Sequence, residues 1–538
     1  MLKQRSNQYL VLAVLTFALL FSVRLLGRQT KNNEPSSKAP SSPTAKPETV
    51  KDPSSTKQIA DPALAELIDR ALNQSDVRTA SWGVFVMSLN DGGVLYSRDA
   101  DKPFTPASNM KVYTTAVALD LLGADYRWRT SVYANKQPDA NGVVEGDLTL
   151  YGRGAPDLIS KSKGDAPSLA KLADRLYQAG VREIRGGIIG DNSYFRGDLF
   201  GAGWQWNDLQ WYFGAEPSAL SIDENSVEVT IAPGKPGSNA TVVVNPAGSP
   251  IHLANSTTTA ARDAKASIGI ARELSGNDLR VWGDFPIDGH AFSAFLSVHD
   301  PALWAATLFK QALSARGIKV NGEVHTRDFR VNNTDKFDPQ KAIELAFEDS
   351  ETLGRIVHQT NKESNNLFAE LILRTIGKER GAPEADDQRK NRVRGDDEAG
   401  TVLVRTWLES KGIDTRPLAI RDGSGLSRLD LVTPESTARL LAAIANTGSA
   451  NVFHDSLPIA GRDGTLSSRL NKVTGRIFAK TGTLTYTHSL SGYATTPNNG
   501  TLVFSIMCND STLDRAALRA IDEIATALAD FRPFATVK

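Results

Sequence analysis

A serine followed by a lysine three residues later stands at the start of an apolar segment. Ser108 and Lys111 follow Pro106 and open the run from Met110 to Leu122, which stops at Gly123. A helix beginning here would place the two side chains on one face, because residues i and i+3 are neighbours on a helix surface. A serine hydroxyl becomes nucleophilic when a base takes its proton, and lysine is that base when burial or a second cation destabilises its ammonium. The pair therefore predicts covalent catalysis by a serine.

The spacing alone is weak evidence, because it recurs by chance in a chain of 538 residues. Sequence context separates Ser108, which opens an apolar run, from the other matches. These lie in a Pro/Ser/Thr/Lys-rich segment or beside a Lys/Gly/Pro-rich stretch, at Ser54/Lys57, Ser160/Lys163 and Ser168/Lys171.

A second cation occurs in the motif Lys480-Thr481-Gly482-Thr483, which is present once. The surrounding segment from Ile477 to Thr485 alternates like a strand and precedes a hairpin. An exposed edge strand there would hold a peptide substrate by main-chain hydrogen bonds, with Gly482 admitting close approach.

Between these two motifs lies Ser364-Asn365-Asn366, in the loop that enters a helical run from Leu367 to Gly377. Ser-x-Asn also recurs by chance, so the order and context of the three motifs carry the signal. Ser-x-x-Lys at a helix start, Ser-x-Asn entering a helix and Lys-Thr-Gly on a strand before the C-terminal helix form the signature of penicillin-recognising serine enzymes.

Over most of residues 80–510 the chain resembles the D-alanyl-D-alanine carboxypeptidase/endopeptidase family, the class C low-molecular-mass penicillin-binding proteins. The gap of 256 residues between Ser108 and Ser364 is typical of that family, which carries extra β-rich domains at this point. Further segments that look like the family are Gly146–Leu148, Gly152–Gly154, Gly187–Asp191, Trp206–Asp208, Gly214–Ala215, Ser218–Leu220, Asn361–Ser364 and Asp422–Ser427.

The resemblance implies an acyl-enzyme mechanism on the terminal D-Ala-D-Ala of peptidoglycan stem peptides, with β-lactams as covalent inhibitors and no cofactor or metal. In it Ser108 attacks the carbonyl, Lys111 accepts the serine proton, and Ser364 with Lys480 relays a proton to the leaving amine. Asn366 would bind the substrate amide. Lys480, Thr481 and Thr483 would bind its carboxylate beside Gly482, and backbone N–H groups of Ser108 and Thr483 would form the oxyanion hole.

The implied fold class is α/β (α+β), a transpeptidase-like domain with an antiparallel sheet flanked by helices, plus inserted β-rich domains. The hydrophobic pattern agrees, because both chain ends supply hairpin strands that need partners. These strands lie in segments 83–97 and 490–507, and a helix at 514–531 follows. We expect a catalytic domain from residues 61–128 and 340–538, and an insert from 129 to 339.

The N-terminal 60 residues hold nine Lys/Arg and three Asp/Glu, although the whole chain has 61 of each kind. Lys3 and Arg5 precede the apolar stretch from Tyr9 to Val23, which indicates an export signal or a membrane anchor over residues 1–28. The absence of a small-x-small cleavage site favours an uncleaved anchor at residues 9–26. Residues 29–60 are predicted to be a disordered linker, and the protein is expected in the periplasm or cell envelope.

Composition argues against several other kinds of protein and binding site. Zero net charge argues against a nucleic-acid partner, and a single cysteine excludes an internal disulfide and a Cys-x-x-Cys zinc site. Cys508, in an apolar run, is predicted to be a buried hydrophobic residue. None of the seven histidines has metal-ligand spacing. The oligomeric state stays open.

Two features leave the substrate preference open. Relatives often have Gly-x-Gly-Asp-Pro where this chain has Gly154-Ala155-Pro156-Asp157. If this aspartate contacts the substrate side chain, the preference for the third residue of the peptide differs from that of the relatives. An aromatic cluster would pack in the core or line a glycan or peptide groove. Its members are Trp204, Trp206, Trp211, Tyr212 and Phe213.

Two alternative functions share the motifs. A β-lactamase would use Ser108, Lys111 and Lys480 but also needs a carboxylate that activates water, and the usual Glu-x-x-Leu-Asn pattern is absent. A non-catalytic envelope scaffold on the same fold is disfavoured by the intact motifs. Carboxypeptidase and endopeptidase action are both compatible with the sequence.

Overall fold

The structure is a computed structural model that describes residues 62–160, 167–330, 336–381 and 395–532. The predicted export segment, the linker and residue 61 lie outside the described residues. Among the described helices, none has the length and apolarity needed to cross a membrane.

The described helices are α1 (Pro62–Leu72), α2 (Met110–Leu122), α3 (Ser168–Gln178), α4 (Pro301–Ala315), α5 (Leu353–Glu363), α6 (Asn366–Arg380), α7 (Asp396–Ser410), α8 (Pro434–Ile444), α9 (Ala450–Ser456) and α10 (Asp514–Asp530). The strands are β1 (Ser81–Ser88), β2 (Val94–Arg98), β3 (Arg129–Ala134), β4 (Val143–Val144), β5 (Leu148–Tyr151), β6 (Glu183–Ile184), β7 (Ile188–Asp191), β8 (Ser226–Ala232), β9 (Thr241–Asn245), β10 (His252–Ala260), β11 (Gly269–Arg272), β12 (Asp278–Pro286), β13 (Phe292–Ser297), β14 (Lys319–Val320), β15 (Val324–Arg327), β16 (Ile343–Asp349), β17 (Ile477–Leu484), β18 (Thr487–Thr495) and β19 (Thr501–Asn509).

One antiparallel sheet joins strands from both ends of the chain in the order β17-β18-β19-β1-β2. Eight residue pairs connect β1 to β19, from Ser81 opposite Asn509 to Ser88 opposite Leu502. The prediction that the two ends share a sheet is confirmed. Strand β17, which carries the Lys-Thr-Gly motif, forms one edge.

The sheet lies between two layers of helices. Val84 and Val86 of β1 pack in a core with α1 and α10, whereas Phe85 and Met87 pack in a second core with α2 and α8. Because neighbouring strand residues point to opposite faces, a continuous apolar run is what a strand buried on both faces requires. Cys508 is fully buried in the first core, as predicted, and burial raises the pKa of its thiol to about 12.

Local signals place the helices of this domain. Helix α2 has the predicted bounds and ends at Gly123, whose φ of +87° suits a residue without a side chain. Helix α8 begins at Pro434 after the predicted cap Thr433, whose hydroxyl accepts the Ser436 N–H at 3.0 Å.

The inserted segment contains a second five-stranded sheet in the order β15-β7-β5-β3-β16 and three sheets of three strands each. Helices α3 and α4 also lie in it, and the pattern did not predict α3. The predicted domain boundary at residue 340 does not agree with the way the strands pair. Strand β16 pairs with β3, Asp349 lying opposite Arg129, so the second catalytic segment contributes a strand to the insert. A short run such as β16 does not reveal from its own sequence which sheet it joins.

Candidate active site

Ser108 lies in a 3₁₀ turn, Ala107–Asn109, directly before α2. Ala107 has a φ of +50°, a left-handed conformation that is costly for a residue with a side chain and is found mostly at functional sites. Because α2 follows the turn at once, Lys111 Nζ lies 2.9 Å from Ser108 Oγ. The predicted pair is therefore in contact.

Lys111 has two further partners at its amine. Nζ donates to Asn366 Oδ1 at 2.6 Å and to the Ser424 carbonyl oxygen at 2.7 Å. A neutral amine has two N–H donors and one lone pair, so these two acceptors use both donors and leave the lone pair for the Ser108 hydroxyl. Complete burial lowers the pKa of Lys111 to about 7, against the attraction of nearby carboxyl groups. The geometry and the pKa both suit a general base.

The Ser364-Asn365-Asn366 loop joins α5 to α6. Ser364 ends α5 with a φ of +62°, and Asn365 caps α6 by accepting the Phe368 N–H at 3.0 Å. This sharp reversal places Asn366 in the first turn of α6, facing Lys111, and places Ser364 beside Lys480.

Lys480 lies on β17 and is completely buried. Its Nζ donates to Ser364 Oγ and to the Thr481 carbonyl oxygen, both at 2.9 Å. Burial, and then the charge of Lys111, hold the pKa of Lys480 well below its usual range. Burial thus lowers the pKa of both lysines, and the neighbouring cation adds to the lowering at Lys480.

Strand β17 lies directly against the turn that carries Ser108. Asn109 Nδ2 donates to the Lys480 carbonyl oxygen at 3.2 Å. A Cβ atom at Gly482 would lie 2.7 Å from the Pro106 carbonyl oxygen, so the glycine lets the strand approach this turn. The close approach predicted for a substrate is therefore observed within the protein itself.

The remaining residues of the third motif lie on the same strand. Thr481 is buried, and its hydroxyl donates to Thr465 Oγ1 at 2.7 Å, whereas Thr483 is exposed at the outer end of β17. The structure thus brings all eight predicted residues to one place. Ser108, Lys111 and Asn366 meet on the helical side, and Ser364 meets Lys480 on the strand side.

Sequence reasoning missed a buried acidic cluster behind Lys111, formed by Glu370, Asp422 and Asp430. Glu370 Oε1 accepts the N–H groups of Gly423 and Ser424 at 3.0 and 2.8 Å. Burial raises the pKa of Glu370, and burial together with Asp422 raises that of Asp430. The position of Glu370, four residues after Asn366 and so on the same helix face, was a usable signal.

The structure gives one role to Asp157 and shows the exposure of the aromatic cluster, the two features that left substrate preference open. Asp157 Oδ2 accepts the Glu351 N–H at 2.7 Å, so this acid fixes the start of the segment that leads into α5. Trp206 is 74% exposed and Tyr212 53% exposed, so the core interpretation is wrong for these two rings. Among the described residues, no group of His, Cys, Asp or Glu is arranged to hold a metal ion.

Comparisons with known proteins bear on the family and the fold of the chain. A family model described as the D-Ala-D-Ala carboxypeptidase 3 (S13) family matches residues 64–530. A D-alanyl-D-alanine carboxypeptidase of Actinomadura sp. (strain R39) is 34% identical over 481 residues, which are 87% of this chain and 85% of the relative. The carboxypeptidase DacB of Haemophilus influenzae is 26% identical over 448 residues, 82% of this chain and 88% of the relative.

Among solved structures, the crystal structure of penicillin binding protein 4 (dacB) from Haemophilus influenzae matches with a TM-score of 0.73. The match has 24% sequence identity and covers 87% of this chain and 99% of that one. At this identity the likeness shows the fold, and the predicted transpeptidase-like fold class is confirmed.

Proposed function

This chain belongs to the D-Ala-D-Ala carboxypeptidase 3 (S13) family of serine-type penicillin-binding enzymes, and we propose that it hydrolyses peptidoglycan stem peptides through an acyl-enzyme on Ser108. The observation that carries this assignment is the amine of Lys111. Its two N–H donors are used by Asn366 and Ser424, and its remaining position faces Ser108 Oγ at 2.9 Å.

In the acylation step, Ser108 Oγ attacks the carbonyl carbon of the penultimate D-alanine and its proton passes to Lys111 Nζ. The tetrahedral intermediate collapses when the C–N bond breaks, and the proton that Lys111 took passes to the leaving amine by way of Ser364, whose hydroxyl accepts a hydrogen bond from Lys480 at 2.9 Å. Water then attacks the ester, and hydrolysis returns the serine and releases the shortened peptide.

The proposed substrate lies along the outer edge of β17. Asn366 would bind the amide of the substrate, and Lys480, Thr481 and Thr483 would bind its carboxylate. The N–H groups of Ser108 and Thr483 would stabilise the oxyanion. The support for this arrangement is that β17 forms a sheet edge and lies directly against the Ser108 turn.

The proposed reactions are removal of the terminal D-alanine and cleavage of D-Ala-diamino acid cross-links, which have the same reacting carbonyl. β-Lactams would acylate Ser108 in the same way. A cell-wall substrate requires an envelope location, which we propose to be the periplasmic side of a membrane with attachment through residues 9–26.

Labelling with a fluorescent penicillin tests the nucleophile. Wild type is expected to gain one label that persists for many minutes, Ser108→Ala none, and Ser168→Ala the wild-type amount. Ser168 is a matched control, because it begins another Ser-x-x-Lys sequence on α3, where its Oγ accepts the Ile159 N–H. Labelling of Ser108→Ala would refute the assignment, and label turnover within seconds would indicate a β-lactamase.

Mass spectrometry of muropeptides tests the substrate. Wild type is expected to remove a terminal D-alanine or to split cross-linked dimers, and Ser108→Ala to do neither. Penicillin labelling without any change in muropeptides would leave the acylation chemistry intact but refute the proposed substrate.

A further inference from the structure

The inserted segment contacts the active site at Asn366 and at the turn that carries Ser424, the two acceptors of the Lys111 amine. Asn366, the first acceptor, donates through Nδ2 to the Phe213 carbonyl oxygen at 2.8 Å. The second acceptor is the Ser424 carbonyl, which belongs to a tight turn over residues 422–427. Phe213 belongs to the insert, so the insert takes part in positioning one acceptor of the catalytic base.

Two buried carboxyl groups hold the turn that presents Ser424: Glu370 accepts its first two N–H groups, and Asp422 accepts the next ones. Asp422 Oδ1 accepts the Gly425 N–H at 2.7 Å, and Oδ2 accepts the Ser427 N–H at 2.8 Å. Ser424 Oγ also donates to Oδ2, at 3.3 Å. Because these donors belong to the turn itself, Asp422 fixes the half of the turn that follows Ser424, as Glu370 fixes the half that precedes it.

Trp204 of the insert supplies a further donor to the Asp422 carboxylate. Its indole Nε1–H donates to Asp422 Oδ2 at 2.8 Å. A buried charged acceptor gains more from such a bond than a neutral one does, and it loses more when the donor is removed. The carboxyl group of Asp430 also forms a hydrogen bond with Asp422, and Trp204 is the side chain through which the insert donates to Asp422.

The loop around Trp204 is fixed against the same turn by its backbone. The Ala202 carbonyl oxygen accepts the Ser427 hydroxyl at 2.6 Å, and the Gly203 carbonyl oxygen accepts the Arg428 N–H at 3.3 Å. Gly203 has a φ of +87°, and a Cβ atom there would lie 2.7 Å from Ser427 Oγ. This close fit sets the approach of the indole to Asp422.

We propose that Trp204 is a positioning residue for the base Lys111: its indole holds Asp422, which holds the turn whose Ser424 carbonyl accepts one N–H of the Lys111 amine. Without this bond the turn loosens, and the amine no longer keeps its lone pair directed at Ser108 Oγ. The inference rests on the proposed function, and it gives the insert a part in acylation in addition to any role in binding peptidoglycan.

The test compares Trp204→Phe with wild type by stopped-flow acylation with a fluorescent penicillin, on the full chain. Phenylalanine keeps an aromatic ring but has no N–H. We expect the limiting acylation rate constant to fall about 10- to 100-fold, and the dissociation constant of the preceding complex to stay within about threefold of wild type, because the substrate-binding strand is untouched. The control is Trp282→Phe, a half-exposed indole on β12, which is expected to behave as wild type.

A double-mutant cycle separates action through Asp422 from general loss of packing. Asp422→Asn alone is expected to lower the limiting rate constant, and adding Trp204→Phe is expected to lower it no further. The proposal would be overturned if the double variant lost activity by the product of the two single losses. It would also be overturned if Trp204→Phe kept a limiting rate within twofold of wild type, or if it changed the dissociation constant alone.

A first-order rate constant does not depend on how much of a variant folds, so a low yield leaves the measurement valid. If Trp204→Phe cannot be recovered at all, Trp204→His supplies the comparison, because it keeps a ring N–H and is expected to retain more than a tenth of the limiting rate. A lower value would overturn the proposal. Failure of wild type itself to label at Ser108 would instead refute the proposed function, so the two failures are distinguishable.

Discussion

The two lysines of the site are equally buried, but their surroundings differ. Lys111 lies on a helix in front of three carboxyl groups, Asp422, Glu370 and Asp430, which oppose the effect of burial on its pKa. Lys480 lies on a strand, and the charge of Lys111 adds to the effect of burial on its pKa. We therefore predict that the first proton taken up by the pair goes to Lys111. The environment of each lysine, rather than its residue type, therefore determines which of the two exchanges the serine proton.

Removing the lysine on the helical side is expected to have the largest effect. Lys111→Met keeps the length of the side chain but removes the group 2.9 Å from Ser108 Oγ, so acylation by a labelled penicillin should slow by about 10⁴-fold, near the upper limit for loss of a general base. Lys171→Met on α3, the lysine of another Ser-x-x-Lys sequence, is the control and should label normally. Acylation of Lys111→Met within tenfold of wild type would assign the base elsewhere.

Removing the lysine on the strand side is expected to cost less. Lys480→Met removes the donor to Ser364 Oγ, which slows proton transfer to the leaving amine and weakens carboxylate binding. Turnover of a D-Ala-D-Ala peptide should fall by about 10²-fold. Lys480→Arg, which keeps a charge that cannot be removed near neutral pH, should not restore the rate. Full rescue by arginine would show that a permanent cation is what the strand supplies.

The acidic cluster is expected to act mainly through geometry. Glu370→Gln keeps an oxygen that accepts the Gly423 and Ser424 N–H groups, so acylation should stay within about threefold of wild type. Glu370→Leu leaves both donors unsatisfied, which should cost about 1–3 kcal/mol of stability in urea unfolding and slow acylation about tenfold. Equal losses in the two variants would show that the charge of Glu370, rather than its acceptor oxygen, supports the site.

Local sequence signals predicted a large part of this site. The helix from Met110 to Leu122 has its predicted bounds, because a sharp onset and Gly123 are local features. The three motifs were recognised because their order is informative even where each is common. The carboxyl groups of Glu370, Asp422 and Asp430 were missed, because their role depends on which loop packs behind Lys111, and that is determined by long-range packing. The exposure of Trp206 and the pairing of β16 with β3 were unpredictable for the same reason.

The pH dependence of acylation tests the comparison of the two lysines most directly. The base must be neutral, and the pKa of Lys111 is about 7, so the acylation rate should rise as pH increases and level off above about pH 7. Below that pH the rate should fall about tenfold per unit, as for a single titrating base. The measurement is the first-order acylation rate constant across pH 5 to 9.

The midpoint of this profile should stay in place in Lys480→Met, although the rate at every pH is lower. If the first proton resides on Lys111, Lys480 carries no charge while Lys111 titrates and exerts no repulsion that its removal would relieve. If Lys480 were instead the protonated partner, losing it would stabilise the Lys111 ammonium and move the midpoint upward by about a unit, a differential interaction of about 1.4 kcal/mol. An upward shift of that size would reverse the assignment of charge between the two lysines while leaving Lys111 as the group in contact with Ser108.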